Sequence, residues 1–235
     1  MNSKSLRNFV LLAAICCFLT VVTTIGIHGL FSYGPMNFEQ SIMLFQNNTY
    51  LANRWWVIFH CLFVIISMWG FLLIQFKKSP GYTGLGFLFF AVFSITEIFR
   101  QLLVLFYLNG LREKYASATN PDIQAMLQFS IENFGLFSSS LFGLFILAFG
   151  LGNLFYGMSL VREKRLSKVL GYLLILWFFG SLLAFLNDFW QIDWLSAFLE
   201  TYNLIYQPVM RFLIALWLWQ NFKLLSKTTE YTAFS

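Results

Sequence analysis

The chain has 235 residues, of which 59% are hydrophobic, 20% aromatic and only 11% charged, whereas a soluble domain carries about 25% charged residues. The apolar residues fall in runs of roughly 20, long enough to cross a bilayer core of about 30 Å, which excludes an ordinary soluble domain. The formal net charge of +5 does not indicate a nucleic-acid partner, because the basic residues lie at the ends of the apolar runs, as membrane anchors do.

The first apolar run begins after Lys4 and Arg7 and extends from Phe9 to about Phe31. A basic start before an apolar run is typical of a secretory signal peptide, but this run is longer than the apolar region of such a peptide. It also has no convincing small-residue cleavage site. We therefore interpret it as a retained membrane helix.

Five further apolar runs follow, so the sequence predicts an all-α, polytopic membrane protein. The expected fold is a six-transmembrane-helix bundle that forms a single integral membrane domain over residues 1–235. The predicted spans are 8–31, 54–76, 82–108, 130–159, 168–187 and 203–222. The lipid bilayer is then the main partner of the outer helix surfaces.

Basic residues between the runs predict the orientation. One side carries Lys4, Arg7, Lys77, Lys78, Arg162, Lys164, Arg165, Lys168, Lys223 and Lys227. The other side has only Arg54, Arg112 and Lys114. The positive-inside rule places the first side in the cytoplasm, so both termini are expected to be cytoplasmic and the protein to lie in an inner or plasma membrane.

Two segments between the runs have helix signals of their own. In the segment 34–50, Asn37 is a candidate N-cap before apolar residues at helical spacing, which predicts a short amphipathic helix on the outer membrane surface. In the segment 120–127, Asn120 is a candidate N-cap and Pro121 takes the first helical position. The fourth helix is therefore expected to begin near residue 121.

One stripe of the fourth run holds mostly small residues, which let helices approach closely in lipid. The stripe comprises Glu132, Ser139, Gly143, Gly150, Asn153 and Gly157. We expect this helix to be central and to pack against its neighbours along the stripe.

Polar side chains, which cost free energy to place inside a membrane, lie in the outer half of every run. Ionisable side chains inside a membrane cost about 2.5–3.5 kcal/mol each on insertion scales, so they almost always face the bundle interior or a wet cavity. The predicted ligand-binding residues are Glu97, Arg100, Gln101, Glu132, Asp188, Gln207 and Arg211. Together they predict a polar site that opens toward the outside.

Three interpretations of these residues remain open. The charges could form an ion-pair network that only fixes helix packing in a structural or interaction protein. Arg100 and Arg211 could instead bind a small anionic or lipid-like ligand, because a guanidinium holds a carboxylate or phosphate with two hydrogen bonds. Finally, His28 and His60 could ligate a divalent metal or haem in a membrane enzyme, although no ligand-pair motif surrounds them.

Other site chemistry finds little support in the sequence. The serines at 138–140 have no surrounding GxSxG motif, and no phosphate-binding loop or dinucleotide fingerprint occurs. Cys16, Cys17 and Cys61 all fall inside predicted spans, so we expect no structural disulfide. Whether the protein is an enzyme stays undecided at this point.

The stretch "LFILAFGLGNLFYGMSLVREKRLSKVLGYLLILWFFGSLLAFLND" (144–188), with "EIFRQLLVLFYLN" (97–109) before it, resembles a bacterial six-span family known as domain of unknown function 4386. The shared features are a glycine-bearing fourth helix, a short basic loop and the "LGYLLIL" that opens the fifth helix. The resemblance covers about half of the chain. It implies a bacterial inner-membrane protein and implies no activity.

Overall fold

The computed structural model describes residues 3–29, 36–190 and 192–233. Over these residues the protein is helical and contains no strand. The helices are α1 (Ser3–Gly29), α2 (Phe38–Ile42), a 3-10 turn (Met43–Gln46), α3 (Asn48–Gln75), α4 (Pro80–Leu102), a π-helical segment (Leu103–Leu108), α5 (Asn109–Ser117), α6 (Pro121–Leu160), α7 (Leu166–Trp190) and α8 (Asp193–Ala233).

Five helical segments of the described chain are long and apolar enough to cross a membrane, which indicates a multi-pass membrane protein. They are Lys4–Ile27, Asn48–Gln75, Pro80–Ser117, Pro121–Leu160 and Leu166–Asn187. The sixth predicted run lies in α8, which is not among the five. Asn203, Gln207 and Arg211 make this helix more polar than the others.

Asparagine caps begin three of the helices, as expected where the first backbone N–H groups lack partners. Asn120 Oδ1 accepts a hydrogen bond from the backbone N–H of Asp122 at 2.8 Å, which confirms the predicted start of α6. Asn37 caps α2 through the N–H of Gln40 at 2.8 Å, as predicted. Asn47 caps α3, so this helix begins six residues before the predicted span. The placement of α2 on a membrane surface stays a prediction.

The six long helices pack as a closed ring in chain order. α1 contacts α3, α3 contacts α4, α4 contacts α6, α6 contacts α7, α7 contacts α8, and α8 returns to α1. We call the end that carries Ser3 and Ala233 the proximal end and the opposite end, where α3, α6 and α8 begin, the distal end.

Aromatic side chains fill the proximal half of the ring. The ring of Phe71 lies 4.2 Å from that of Tyr156 and 4.5 Å from that of Trp217, measured between centroids. All three side chains are buried. The Tyr156 hydroxyl also donates to the backbone carbonyl of Met68 at 2.7 Å, which satisfies its polar group in the core. This half of the bundle is therefore closed.

Helices α6 and α7 are closest near the proximal end and diverge toward the distal end. A methyl group on Gly157 would lie 2.8 Å from the carbonyl oxygen of Gly171, too close for any side chain. At Gly150 it would lie 3.2 Å from the Ser181 side chain, and at Gly143 it would meet only a phenyl ring of α7 at 3.6 Å. The glycine stripe thus supports tight packing at one end only.

Candidate functional site

A cavity of about 510 Å³ lies in the distal half of the ring, and side chains from all six long helices line it. Its volume falls in the range of about 300–1,000 Å³ that is usual for small-molecule sites. Phe93, Phe149 and Trp177 form part of its apolar wall. The cavity is partly open to the exterior of the bundle, while the aromatic core closes the proximal half.

Glu97 is the centre of a hydrogen-bond network on one wall of the cavity. Its carboxylate accepts from Arg100 Nε at 2.8 Å, from Arg100 Nη2 at 2.7 Å and from Gln101 Nε2 at 2.6 Å. Gln101 Oε1 in turn accepts from Arg54 Nη1 at 3.2 Å, which joins α4 to α3. Glu97 is only 3% exposed. Its charge is therefore matched by Arg100 within the same helix.

The backbone of α4 changes immediately after this network. The segment Leu103–Leu108 is π-helical, and it continues into α5. A π-helical turn inserts an extra residue into the helix and is frequent at functional sites, because it changes the direction in which the following side chains point.

Arg211 occupies the opposite wall, on α8, and its electrostatic surroundings differ. The residue is 3% exposed, and its Nη1 is buried without a hydrogen-bond partner in the described part of the chain. Its guanidinium carbon lies 5.2 Å from the ring centre of Trp177 and 5.5 Å from that of Phe149. Cation–π contacts thus hold a buried charge for which the described side chains offer no ion pair.

Among the described side chains that line the cavity, the charge of Arg211 is an excess positive charge. Arg100 is paired with Glu97, whereas Arg211 Nη1 is buried without a partner among the described residues. An excess of this kind in an apolar bundle is costly. It favours the binding of an anion.

More basic and aromatic residues lie beyond the cavity, toward the distal end. The ring of Tyr50 lies 4.8 Å from the guanidinium carbon of Arg54 and 5.5 Å from that of Arg112. Arg112 Nη1 also donates to the Tyr50 hydroxyl at 3.1 Å and to Asn109 Oδ1 at 3.0 Å. Positive charge therefore continues from the cavity toward the distal end, where Arg112 is buried.

His60 lies in the cavity wall, and its Nδ1 is hydrogen-bonded to the Thr23 hydroxyl at 2.7 Å. The side chain of His28 lies outside the part that the structure describes. Among the described side chains, no group of three or more His, Cys, Asp and Glu residues is placed to hold a metal ion. The metal or haem hypothesis for the two histidines stays an untested prediction.

The structure brings most of the predicted ligand-binding residues to one place. Glu97, Arg100, Gln101, Gln207 and Arg211 all line the cavity. The side chain of Asp188 lies outside the described residues.

Glu132 is separate from this group. It is exposed on α6 and its carboxylate accepts a hydrogen bond from Gln128 Nε2 at 2.8 Å. It therefore lies on a face of α6 other than the one that lines the cavity.

Arg54 lines the cavity but is not among the predicted site residues, because a basic residue at the start of an apolar run is typical of a membrane anchor. It lies instead in the second turn of α3. Seven residues separate it from Cys61, another cavity residue, and this spacing places both on one helix face. Cys61 is not among the predicted site residues either, so this spacing carries no signal in the sequence alone.

Guanidinium groups suit the binding of carboxylate or phosphate oxygens, which accept two parallel N–H bonds from the planar fork. The cavity combines these donors with aromatic and amide side chains, a composition usual in ligand sites. No family model, curated protein or solved structure matches this chain. A function for this protein is therefore inferred from the chemistry of the cavity residues.

Proposed function

We propose that the protein binds a small anionic or lipid-like ligand through a carboxylate or phosphate group in the distal cavity. The observation that carries this proposal is Arg211, a buried guanidinium with no ion-pair partner among the described side chains. Removing one ion from water has an effective cost of several kcal/mol in a real protein. A bound anion would offset the cost of burying the Arg211 charge. Water in an empty cavity would offset part of it.

Arg100 is the less suitable principal ligand group, because both carboxylate oxygens of Glu97 already engage it. Its side chain is nevertheless 19% exposed, and it lines the same cavity as Arg211. An anion bound by Arg211 would therefore also be attracted by the positive charge of Arg100, without breaking the pair between Arg100 and Glu97.

The proposal includes the membrane topology. α8 is taken as the sixth span, since it packs between α1 and α7 and its residues Gln207 and Arg211 line the cavity, away from lipid. Both termini are cytoplasmic and the cavity opens outward, because the proximal end carries the greater number of basic residues. A bacterial inner membrane is the location that agrees with the family resemblance.

Thermal unfolding of the purified protein in an uncharged detergent tests the binding proposal. Inorganic phosphate or acetate, compared with chloride at constant ionic strength, is expected to stabilise the wild type. A ligand at ten times its Kd contributes about 1.4 kcal/mol. Arg211→Met should abolish the response, and the control Arg162→Met, which alters an exposed proximal arginine, should retain it.

Two outcomes contradict the proposal. One is a wild type that responds to neither anion nor to alkyl phosphates in the detergent. The other is an Arg211→Met protein that responds as strongly as the wild type. Either result favours the interpretation in which the buried charges serve helix packing alone.

A further inference from the structure

A groove lies beside the cavity on the outer surface of the bundle, between the distal parts of α6 and α7. It has a volume of about 590 Å³, and Ser139, Gly143 and Leu147 of α6 face Phe185 of α7 across it. Phe142 lines both this groove and the cavity. The two spaces therefore share one side chain as their common wall.

Divergence of the two helices creates the groove. Near Gly157 the helix backbones are in contact, whereas near Gly143 the space beside the glycine is limited only by the ring of Phe185. The gap between α6 and α7 therefore begins at the depth of the cavity.

The groove is apolar in effect although two serines border it. The hydroxyl of Ser139 donates to the carbonyl of Gly135 at 3.0 Å, and that of Ser140 donates to the carbonyl of Leu136 at 3.1 Å. These donors are already used within the helix. Leu147 is 39% exposed toward the groove side of α6, so the surface suits a hydrocarbon chain.

The shared wall is also where charge and apolar surface meet. The guanidinium carbon of Arg100 lies 5.4 Å from the ring centre of Phe142, and the same ring stacks on Phe145 at 5.5 Å. One face of this wall therefore belongs to a cationic cavity and the other to a surface that lipid would cover. A molecule with an anionic head and an apolar tail matches both parts.

We infer that the anion in the cavity is the head group of a membrane lipid, and that an acyl chain of this lipid lies in the groove between α6 and α7. The inference rests on the proposed anion site. The cavity is too small to enclose a whole membrane lipid, so the tail must leave it. From Ser139 to Leu147 the groove runs along eight residues of helix, about 12 Å, which accommodates a large part of one chain.

Photo-crosslinking in liposomes of phosphatidylcholine tests this inference. The probe is phosphatidic acid with a photoreactive group midway along one acyl chain, and adducts are located by mass spectrometry. Adducts are expected within 139–147 and at Phe185. A diacylglycerol probe with the same chain, which lacks the anionic group, should label these sites at least tenfold less. Arg211→Met should likewise reduce labelling by the phosphatidic acid probe at least tenfold.

Gly143→Leu fills the groove and is expected to remove the adducts there while leaving the thermal response to inorganic phosphate unchanged. Gly84→Leu is the matched control, because an added side chain at Gly84 also meets open space but lies on α4 near the proximal end. This variant should label like the wild type. A third variant, Leu147→Trp, fills the groove without replacing a glycine and repeats the test should Gly143→Leu fail to fold.

The outcomes separate the two proposals. If inorganic phosphate stabilises the protein through Arg211 but the acyl probe labels no groove residue, the lipid inference is overturned and the anion site stands. Equal labelling by the charged and neutral probes, or by wild type and Arg211→Met, shows ordinary lipid contact and also overturns it. If no anion binds in any assay, both proposals fail.

Discussion

The pair between Glu97 and Arg100 offers the sharpest test of the electrostatics inside the cavity. The change is Glu97→Gln, which keeps the shape of the side chain and one acceptor oxygen but removes the charge. The carboxylate accepts two hydrogen bonds from Arg100 and one from Gln101, at 2.6–2.8 Å. Breaking one partner of a buried ion pair costs about 3–5 kcal/mol. Because the side chain of Arg100 is 19% exposed, we expect a loss near the lower limit.

A double-mutant cycle identifies the true partner of Glu97. In Glu97→Gln with Arg100→Met, neither charge is left unpaired, so about 2 kcal/mol of the loss should be recovered. In Glu97→Gln with Arg211→Met, the recovery should be at most half as large, because the carboxylate makes no hydrogen bond or salt bridge to Arg211. Unfolding by a denaturing detergent, followed by tryptophan fluorescence, measures the four free energies in each cycle.

Equal or greater coupling to Arg211 would refute this reasoning. It would mean that Glu97 neutralises the α8 arginine and that the cavity lacks an unpaired cation. A Glu97→Gln protein as stable as the wild type would show that Glu97 and Arg100 do not form a buried ion pair. Removing one partner of a buried pair always lowers the free energy of unfolding.

Three further predictions concern topology and packing. In intact cells, a membrane-impermeant thiol reagent should label Asn48→Cys and should not label Lys164→Cys; the reverse pattern contradicts the orientation, and the buried native cysteines add no background. Gly157→Ala should lower the free energy of unfolding by about 1–3 kcal/mol through overpacking, whereas Gly143→Ala, whose added methyl group would meet Phe185 only at 3.6 Å, should raise it by about 0.5–1 kcal/mol; similar effects at both sites contradict the divergence of α6 and α7. Tyr156→Phe should lower it by about 0.5–1.5 kcal/mol through the loss of the hydrogen bond to the Met68 carbonyl, which keeps its acceptor role within α3, and an unchanged stability contradicts that hydrogen bond.

Local sequence spacing predicted one wall of the cavity and could not predict the other. Glu97, Arg100 and Gln101 stand at positions i, i+3 and i+4, so a single helix places them together whatever its neighbours do. The surroundings of Arg211 depend instead on Phe149 and Trp177 from two other helices. Such contacts follow from the order and rotation of helices in the ring, which no spacing within α8 contains.

The length of an apolar run does not reveal which face of its helix points inward. Glu132 lies within α6 but is exposed and does not line the cavity, because a shift of one residue rotates a side chain by about 100° around the helix. For Arg54, the difference from the prediction lies in where the helix begins. Asn47 begins the helix before its apolar run, so Arg54, which composition marks as an end anchor, lies inside the bundle.

The excess charge of the cavity also bears on which anion binds best. Arg211 has a buried guanidinium nitrogen without a described partner, and the partly exposed Arg100 lines the same cavity. A phosphate monoester, which carries about −1.5 to −2 at pH 7, should therefore interact more strongly with these two guanidinium groups than a carboxylate does. Dodecyl phosphate should therefore raise the melting temperature more than dodecanoate at equal concentration, with both effects lost in Arg211→Met. Because the second pKa of a phosphate monoester is about 6, the advantage should shrink as the pH falls from 7.5 to 5.5. Equal stabilisation by the two amphiphiles at pH 7.5 would show that Arg100 and Arg211 do not act together on one bound anion.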